Sequence, residues 1–137
     1  MTVLLLEDNS LVADFVVETL NQRGQAVIHA RTVAQALAIY RDARQPFTVL
    51  LCDYELPDGT GLDFFAGIKQ TVKPGRVGAP ERILWSALDR EAEIRASGVE
   101  IEHIFNKNQI AEVLTLIERA YRAVAPAIPA RRAGDTP

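Results

Sequence analysis

Short apolar runs alternate with longer amphipathic stretches along the whole chain. The mostly apolar runs cover residues 3–6, 26–29, 47–52, 83–85 and 101–105. Runs of this kind are typical of strands that are buried on both faces. The stretches between and after them carry apolar residues at helical spacing, most fully in the last one, with Ile110, Val113, Leu114 and Ile117. Five strands alternating with five helices predict an α/β domain: a doubly wound parallel sheet with helices on both faces.

Composition excludes several classes of protein. The 137 residues are 48% hydrophobic and 24% charged, as in a globular domain. A net charge of −3 gives no strong attraction to nucleic acid or to an anionic membrane. The single cysteine, Cys52, excludes an internal disulfide and a multi-cysteine zinc site. No apolar run is long enough for a signal peptide or a membrane span, so we expect a cytoplasmic protein with no membrane partner.

The chain divides into one domain and a short tail. We expect residues 1–122 to form the domain. Residues 123–137 would be the end of the last helix and a flexible tail rich in alanine, proline and arginine. Inside the domain, the longest predicted loop covers residues 71–81.

Chemically active side chains follow four of the five predicted strands. Glu7 and Asp8 follow the first strand, Asp53 the third, Ser86 the fourth and Lys107 the fifth. Alone, each has an ordinary structural explanation as a cap, a turn residue or a surface charge. Ligands of such sheets bind beyond the carboxyl ends of the strands, where these side chains would meet. Three close carboxylates need a cation, and Mg²⁺ prefers such oxygen ligands. The pattern therefore predicts a phosphoryl-transfer site with Asp53 as nucleophile.

These residues lie in motifs that resemble a known family. The segments are LLLEDN at residues 4–9, LLCDYELPDGTGL at 50–62, ILWSA at 83–87 and FNKN at 105–108. Pro57 and Gly61 stand at the family's spacing after the aspartate. Over about residues 2–122 the chain resembles a stand-alone, CheY-like response-regulator receiver domain of two-component signalling. The resemblance implies a flavodoxin-like (βα)5 fold.

The resemblance also implies roles for the acidic residues. Asp53 would accept a phosphoryl group from a sensor histidine kinase or a phosphotransfer protein. Asp8 and Asp53 would bind Mg²⁺ directly, Glu7 would bind it through water, and the backbone carbonyl of Glu55 would supply a further ligand. Apart from phosphorylation and dephosphorylation of itself, such a domain is not an enzyme. Its output would be contact with a downstream protein target, with dimerisation as a further possibility.

Two positions depart from the family pattern and bear on signal output. The resemblance implies that Ser86, followed by the small Ala87, binds a phosphoryl oxygen, and that Lys107 pairs with Asp53 and then with the phosphate. Asn108 stands where the family has a proline after a cis peptide, so we expect either a trans or a strained bond. Ile104 occupies the family's aromatic switch position and has no ring to move. We therefore expect the signal to leave through Ser86 and the loop that follows it.

Two other functions stay open at the level of sequence. The departures at Ile104 and Asn108 are compatible with a degenerate receiver that acts only as a protein-interaction module. Alternatively, Glu7, Asp53 and Glu55 resemble a Toprim-like metal-dependent phosphoesterase site, although that leaves Ser86 and Lys107 unexplained. His29 and His103 have no ligand spacing, so we interpret both as structural or exposed.

Overall fold

The computed structural model describes residues 2–43, 47–68 and 80–124. The strands are β1 (Thr2–Leu6), β2 (Ala26–Ala30), β3 (Val49–Asp53), β4 (Glu55–Leu56), β5 (Gly59–Thr60), β6 (Glu81–Ser86) and β7 (His103–Asn106). The α-helices are α1 (Ser10–Gln22), α2 (Val33–Asp42), α3 (Gly61–Ile68), α4 (Glu91–Ala96) and α5 (Ile110–Val124), and a 3₁₀ turn, Lys107–Gln109, precedes α5. None of these helices is both long and apolar enough to cross a bilayer.

A five-stranded parallel sheet organises the domain. Its strand order is β2-β1-β3-β6-β7, and every neighbouring pair is parallel. This confirms the predicted flavodoxin-like fold with five strands and five helices. From β1 the chain moves first to one side of the sheet and then to the other, which places a crevice at the carboxyl ends of β1 and β3.

Two apolar layers cover the sheet, because alternate side chains of a strand point to opposite faces. On one face, Leu4, Leu50 and Leu84 pack with side chains of α2, α3 and α4. On the other face, strand residues such as Leu5 and Leu51 pack with side chains of α1 and α5. Cys52 and Trp85 are buried in these two layers, and the neighbouring residues Ile104 and Phe105 point to opposite faces of the sheet.

The element boundaries differ from the sequence prediction by a few residues. The third strand begins at Val49, two residues later than predicted, and extends to Asp53. The predicted loop at 71–81 lies outside the described residues except at its end, where Glu81 already belongs to β6. Of the segment 123–137, predicted as the end of the last helix and a flexible tail, residues 125–137 also lie outside them.

An antiparallel hairpin of β4 and β5 follows directly after the end of β3. Its Asp58 side chain accepts hydrogen bonds from the backbone N–H groups of Val33 (2.8 Å) and Ala34 (3.0 Å) at the start of α2. These two bonds lower the pKa of Asp58. The hairpin that follows Asp53 is thereby fixed to the neighbouring helix.

Gly61 is the glycine whose lack of a side chain the fold needs most directly. Its N–H donates to the carbonyl of Tyr54, and a Cβ atom there would lie 2.6 Å from the backbone oxygen of Asp53 and against Leu84. A real Cβ does not come so close to a backbone atom, so the strand end or α3 would have to move.

We expect Gly61→Ala to destabilise the domain by about 1–3 kcal/mol in urea unfolding, because it overpacks a buried contact. Gly67→Ala is the matched control on the same helix, since its nearest neighbour is the flexible end of the Leu37 side chain at 2.9 Å. Equal losses in the two variants would contradict this account of Gly61.

Candidate functional site

Three charged side chains meet at the carboxyl edge of the sheet. Glu7, Asp53 and Lys107 each continue the strand pattern that faces α1 and α5, so their side chains project to the same side. The Lys107 Nζ atom lies 2.7 and 2.9 Å from the two carboxylate oxygens of Glu7 and 3.2 Å from Oδ2 of Asp53. The exposed fractions of these side chains are 0% for Glu7, 5% for Asp53 and 19% for Lys107. One partly buried ammonium thus bridges two buried carboxylates.

A capped 3₁₀ turn places Lys107. The side chain of Asn106 accepts a hydrogen bond from the N–H of Asn108 at 3.0 Å, and the side chain of Gln109 accepts one from the N–H of Asn106 at 2.8 Å. This reciprocal pair is a capping box. The peptide bond between Lys107 and Asn108 is trans. The sequence left open a trans or a strained bond before Asn108, and the structure has the ordinary trans bond.

The three charges shift one another's protonation. Burial, followed by the charge of Glu7, raises the pKa of Asp53 to about 7, although Lys107 opposes the shift. Burial alone would lower the pKa of Lys107, but its contacts with Glu7 and Asp53 raise it above the ordinary value. Lys107 therefore stays an ammonium ion near neutral pH, and its charge does not neutralise both acids.

The same edge of the sheet has the donor set for a divalent cation. Carboxylate oxygens of Glu7, Asp8 and Asp53 lie within 4.8 Å of one another. Oδ1 of Asp53 is buried and accepts no hydrogen bond from any described residue. Asp8 is exposed at the mouth of the site. An orphaned carboxylate oxygen among further carboxylates fits Mg²⁺, which takes oxygen ligands and retains several waters. Binding of the ion through the Glu55 carbonyl remains a prediction.

Ser86 contacts the side chain of Glu55 and the backbone of Leu88. Its Oγ lies 3.1 Å from both carboxylate oxygens of Glu55 and accepts a hydrogen bond from the N–H of Leu88, also at 3.1 Å. The guanidinium Nε of Arg90 lies 3.0 Å from Oε2 of Glu55, and that guanidinium lies over the ring of Tyr54, 5.2 Å from its centroid. The Ser86 hydroxyl therefore donates its hydrogen bond to the Glu55 carboxylate.

The remaining predicted switch residues border this group. Ala87 is exposed, and the half-buried Ile104 packs against the core layer that contains α4. A cavity of about 270 Å³ is lined by Ser86, Arg90, Ile94 and Ile104, among others. Ile104 is thus one of the side chains that line this space beside Ser86.

Sequence reasoning missed two residues that support the site. The Nε2 atom of His29 lies 2.7 Å from the backbone carbonyl of Glu7. Because a carbonyl only accepts, that ring nitrogen carries the proton and holds the end of β1. Arg90 was not singled out at all. Neither contact has a sequence signal, because each joins positions far apart in the chain at a spacing that no motif records. The other histidine, His103, is half-buried and contacts Glu81 at 2.7 Å.

The strand order and the acidic edge define a class of α/β domain with a charged site at the carboxyl ends of the strands. Response regulator receiver domains match residues 3–118, most of the chain, and the chain belongs to this family.

Solved structures of receiver domains share the fold. The receiver domain of Francisella response regulator 1452 superposes with a TM-score of 0.73 at 21% identity, covering 89% of this chain and 97% of that one. The non-phosphorylated HemR receiver domain from Leptospira biflexa gives 0.71 at 25% identity, covering 87% and 92%. Response regulator TrrA from Thermotoga maritima, in complex with Mg²⁺ and BeF, gives 0.72 at 18% identity, covering 87% and 97%. No curated protein matches the chain significantly.

The charge balance of the site makes a prediction about stability. The pKa of Asp53 is about 7 when folded and about 3.8 for a free side chain, so the folded state binds the extra proton between these values. The free energy of unfolding should therefore fall as the pH rises from about 4 to about 7. Asp53→Asn removes this penalty and should stabilise the domain by about 2 kcal/mol at about pH 8, and by much less at about pH 5, in urea unfolding with chelator.

Asp8→Asn is the control for this measurement, because Asp8 is exposed and its removal should change stability by less than about 0.5 kcal/mol. An Asp53→Asn protein less stable than the wild type at alkaline pH would contradict the assigned charge balance.

Proposed function

We propose that this receiver domain accepts a phosphoryl group on Asp53 from the phosphohistidine of a sensor histidine kinase or a phosphotransfer protein. One observation carries the proposal: Oδ2 of Asp53 is held by Lys107, while the buried Oδ1 accepts no hydrogen bond from the described part of the chain. A buried carboxylate oriented by a cation and left with one unbonded oxygen is poised to act as a nucleophile. A cytoplasmic location would accompany this role.

The transfer forms one covalent bond to the protein, at Asp53, and breaks one bond in the phosphodonor. An oxygen of the Asp53 carboxylate would attack phosphorus, forming an O–P bond as the N–P bond to the donor imidazole breaks and its nitrogen keeps the electron pair. Lys107 would stay protonated throughout and donate hydrogen bonds to a phosphoryl oxygen. Glu7, Asp8 and Asp53 would hold Mg²⁺, which when bound offsets the charge of the phosphoryl group.

An apolar surface lies next to the site on α1. Leu11 and Phe15 are four residues apart on one helix face, with exposed fractions of 82% and 51%. Exposed large apolar side chains side by side are a feature of protein-binding surfaces. Because α1 begins three residues after Glu7, a phosphodonor docked there would bring its histidine near Asp53. A downstream target would bind the surface of α4, because the loop that follows Ser86 connects directly to this helix.

Incubation with acetyl phosphate and Mg²⁺ should add one acid-labile phosphoryl group to the wild-type protein, measured by intact-mass spectrometry. Asp53→Asn should add none, because an amide is not a nucleophile here. Asp58→Asn is the matched control from the same segment: asparagine still accepts a hydrogen bond from the start of α2, and labelling should equal that of the wild type.

The outcomes separate the three functions. Equal labelling of wild type and Asp53→Asn would contradict the assignment of the nucleophile. Absence of any labelling would favour a degenerate receiver that only binds proteins. Sustained release of phosphate from a phosphate ester with Mg²⁺ would favour the Toprim-like phosphoesterase instead.

A further inference from the structure

The Ser86 hydroxyl has no hydrogen-bonding capacity left for a phosphoryl group. A serine hydroxyl has one proton to donate. In this structure the proton points to the Glu55 carboxylate, whose oxygens are both 3.1 Å away, and the Leu88 N–H occupies an acceptor position of Ser86. For Ser86 to donate to a phosphoryl oxygen on Asp53, its bond to Glu55 must break.

Arg90 anchors the carboxylate that holds Ser86. Its Nε is 3.0 Å from Oε2 of Glu55, its Nη1 is 3.1 Å from Oε1 of Glu93, and its guanidinium stacks over Tyr54. Glu55 therefore has a fixed position between a hydroxyl and a cation.

We propose that the Glu55 carboxylate, the Ser86 hydroxyl and the Arg90 guanidinium form a latch, here called the Glu55 latch, which holds Ser86 unavailable until the domain is phosphorylated. The proposal rests on phosphorylation of Asp53. Glu55 and Arg90 are positioning residues in it, because they act on the phosphoryl group through Ser86. A phosphoryl group on Asp53 competes with Glu55 for the Ser86 proton, and the latch opens when Ser86 donates to that group instead.

Opening the latch gives the signal a path to α4. Arg90 immediately precedes this helix, and the 270 Å³ cavity that Ser86 and Arg90 line leaves room for the loop between them to move. When Ser86 leaves, Glu55 loses one of its two described partners, and the pair that it forms with Arg90 is free to shift with Glu93, on the helix itself. The loop and the start of α4 then move together. An aromatic residue at position 104 is not needed for this step.

A double-mutant cycle tests the latch, with affinity for beryllofluoride and Mg²⁺ as the readout. Removing a competitor for Ser86 should strengthen binding, so Glu55→Ala should lower the Kd about tenfold. In a Ser86→Ala background the same change should lower it by less than about twofold, because no hydroxyl remains to release. The wild type, both single variants and the double variant complete the cycle.

Glu55→Gln and Glu93→Gln are the matched controls. Glutamine at position 55 keeps an oxygen that accepts from Ser86 and should give an intermediate affinity. Glu93 contacts Arg90 but not Ser86, so Glu93→Gln should bind beryllofluoride like the wild type. If only the charge of Glu55 matters, Glu55→Gln will equal Glu55→Ala and the gain will persist in the Ser86→Ala background. Either result overturns the latch.

Failure of the latch and failure of the proposed function give different results. Binding by the wild type with no gain in Glu55→Ala overturns the latch alone. Binding by Glu55→Ala but not by the wild type supports a latch that blocks the site. Binding by neither protein contradicts phosphorylation of Asp53 and the latch with it.

Hydrogen exchange gives a readout without any ligand. The N–H of Leu88 is protected by the Ser86 oxygen. Glu55→Ala should therefore speed exchange in residues 87–91 several-fold, and Glu93→Gln should not. Unchanged exchange in Glu55→Ala would show that the carboxylate does not hold this loop and would overturn the proposal.

Discussion

The pairing of two buried carboxylates with one ammonium governs the site and the strand ends that form it. Glu7 and Lys107 are a hundred residues apart in sequence, and their contact at 2.7 Å links the ends of β1 and β7 across β3 and β6, with Asp53 at the end of β3 between them. A buried charge without a partner is strongly destabilising, so Glu7 and Asp53 both depend on Lys107. With two negative charges and one positive charge, the site stays negative, and this residual charge is what attracts a divalent cation.

The two-residue period of the strands explains how much of this site the sequence predicted. One face of the sheet is formed by every second residue of each strand and by the residue that continues it: 3, 5 and 7 from β1, 49, 51 and 53 from β3, and 105 and 107 from β7. Convergence of Glu7, Asp53 and Lys107 therefore follows from strand positions that apolar runs reveal. The preference of Lys107 for Glu7 does not follow, because it depends on side-chain distances. The resemblance implied a pairing with Asp53, which the structure has at 3.2 Å, beside two shorter contacts to Glu7.

The contacts that sequence reasoning missed are made by loops and by single side chains. The hairpin of β4 and β5 has two-residue strands, too short for a periodic pattern to show. The contacts from His29 to the Glu7 carbonyl and from Arg90 to Glu55 join elements whose approach only the fold determines. In contrast, Asn106 and Gln109 have the spacing of a capping box and could have predicted the turn that carries Lys107.

The group around Glu55 also explains how a receiver can work without an aromatic switch. An aromatic switch residue has two alternative positions that differ in how its ring packs. Ile104 has no ring and therefore offers no such pair of states. A carboxylate held between Ser86 and Arg90 has two states that differ in charge pairing. Because Glu55 and Arg90 are partly exposed, with side-chain fractions of 43% and 28%, solvent screens their attraction. A weak pair suits a switch. The hydrogen bond between Ser86 and an incoming phosphoryl group then needs to be only modestly more favourable than the contacts that hold Ser86 to Glu55.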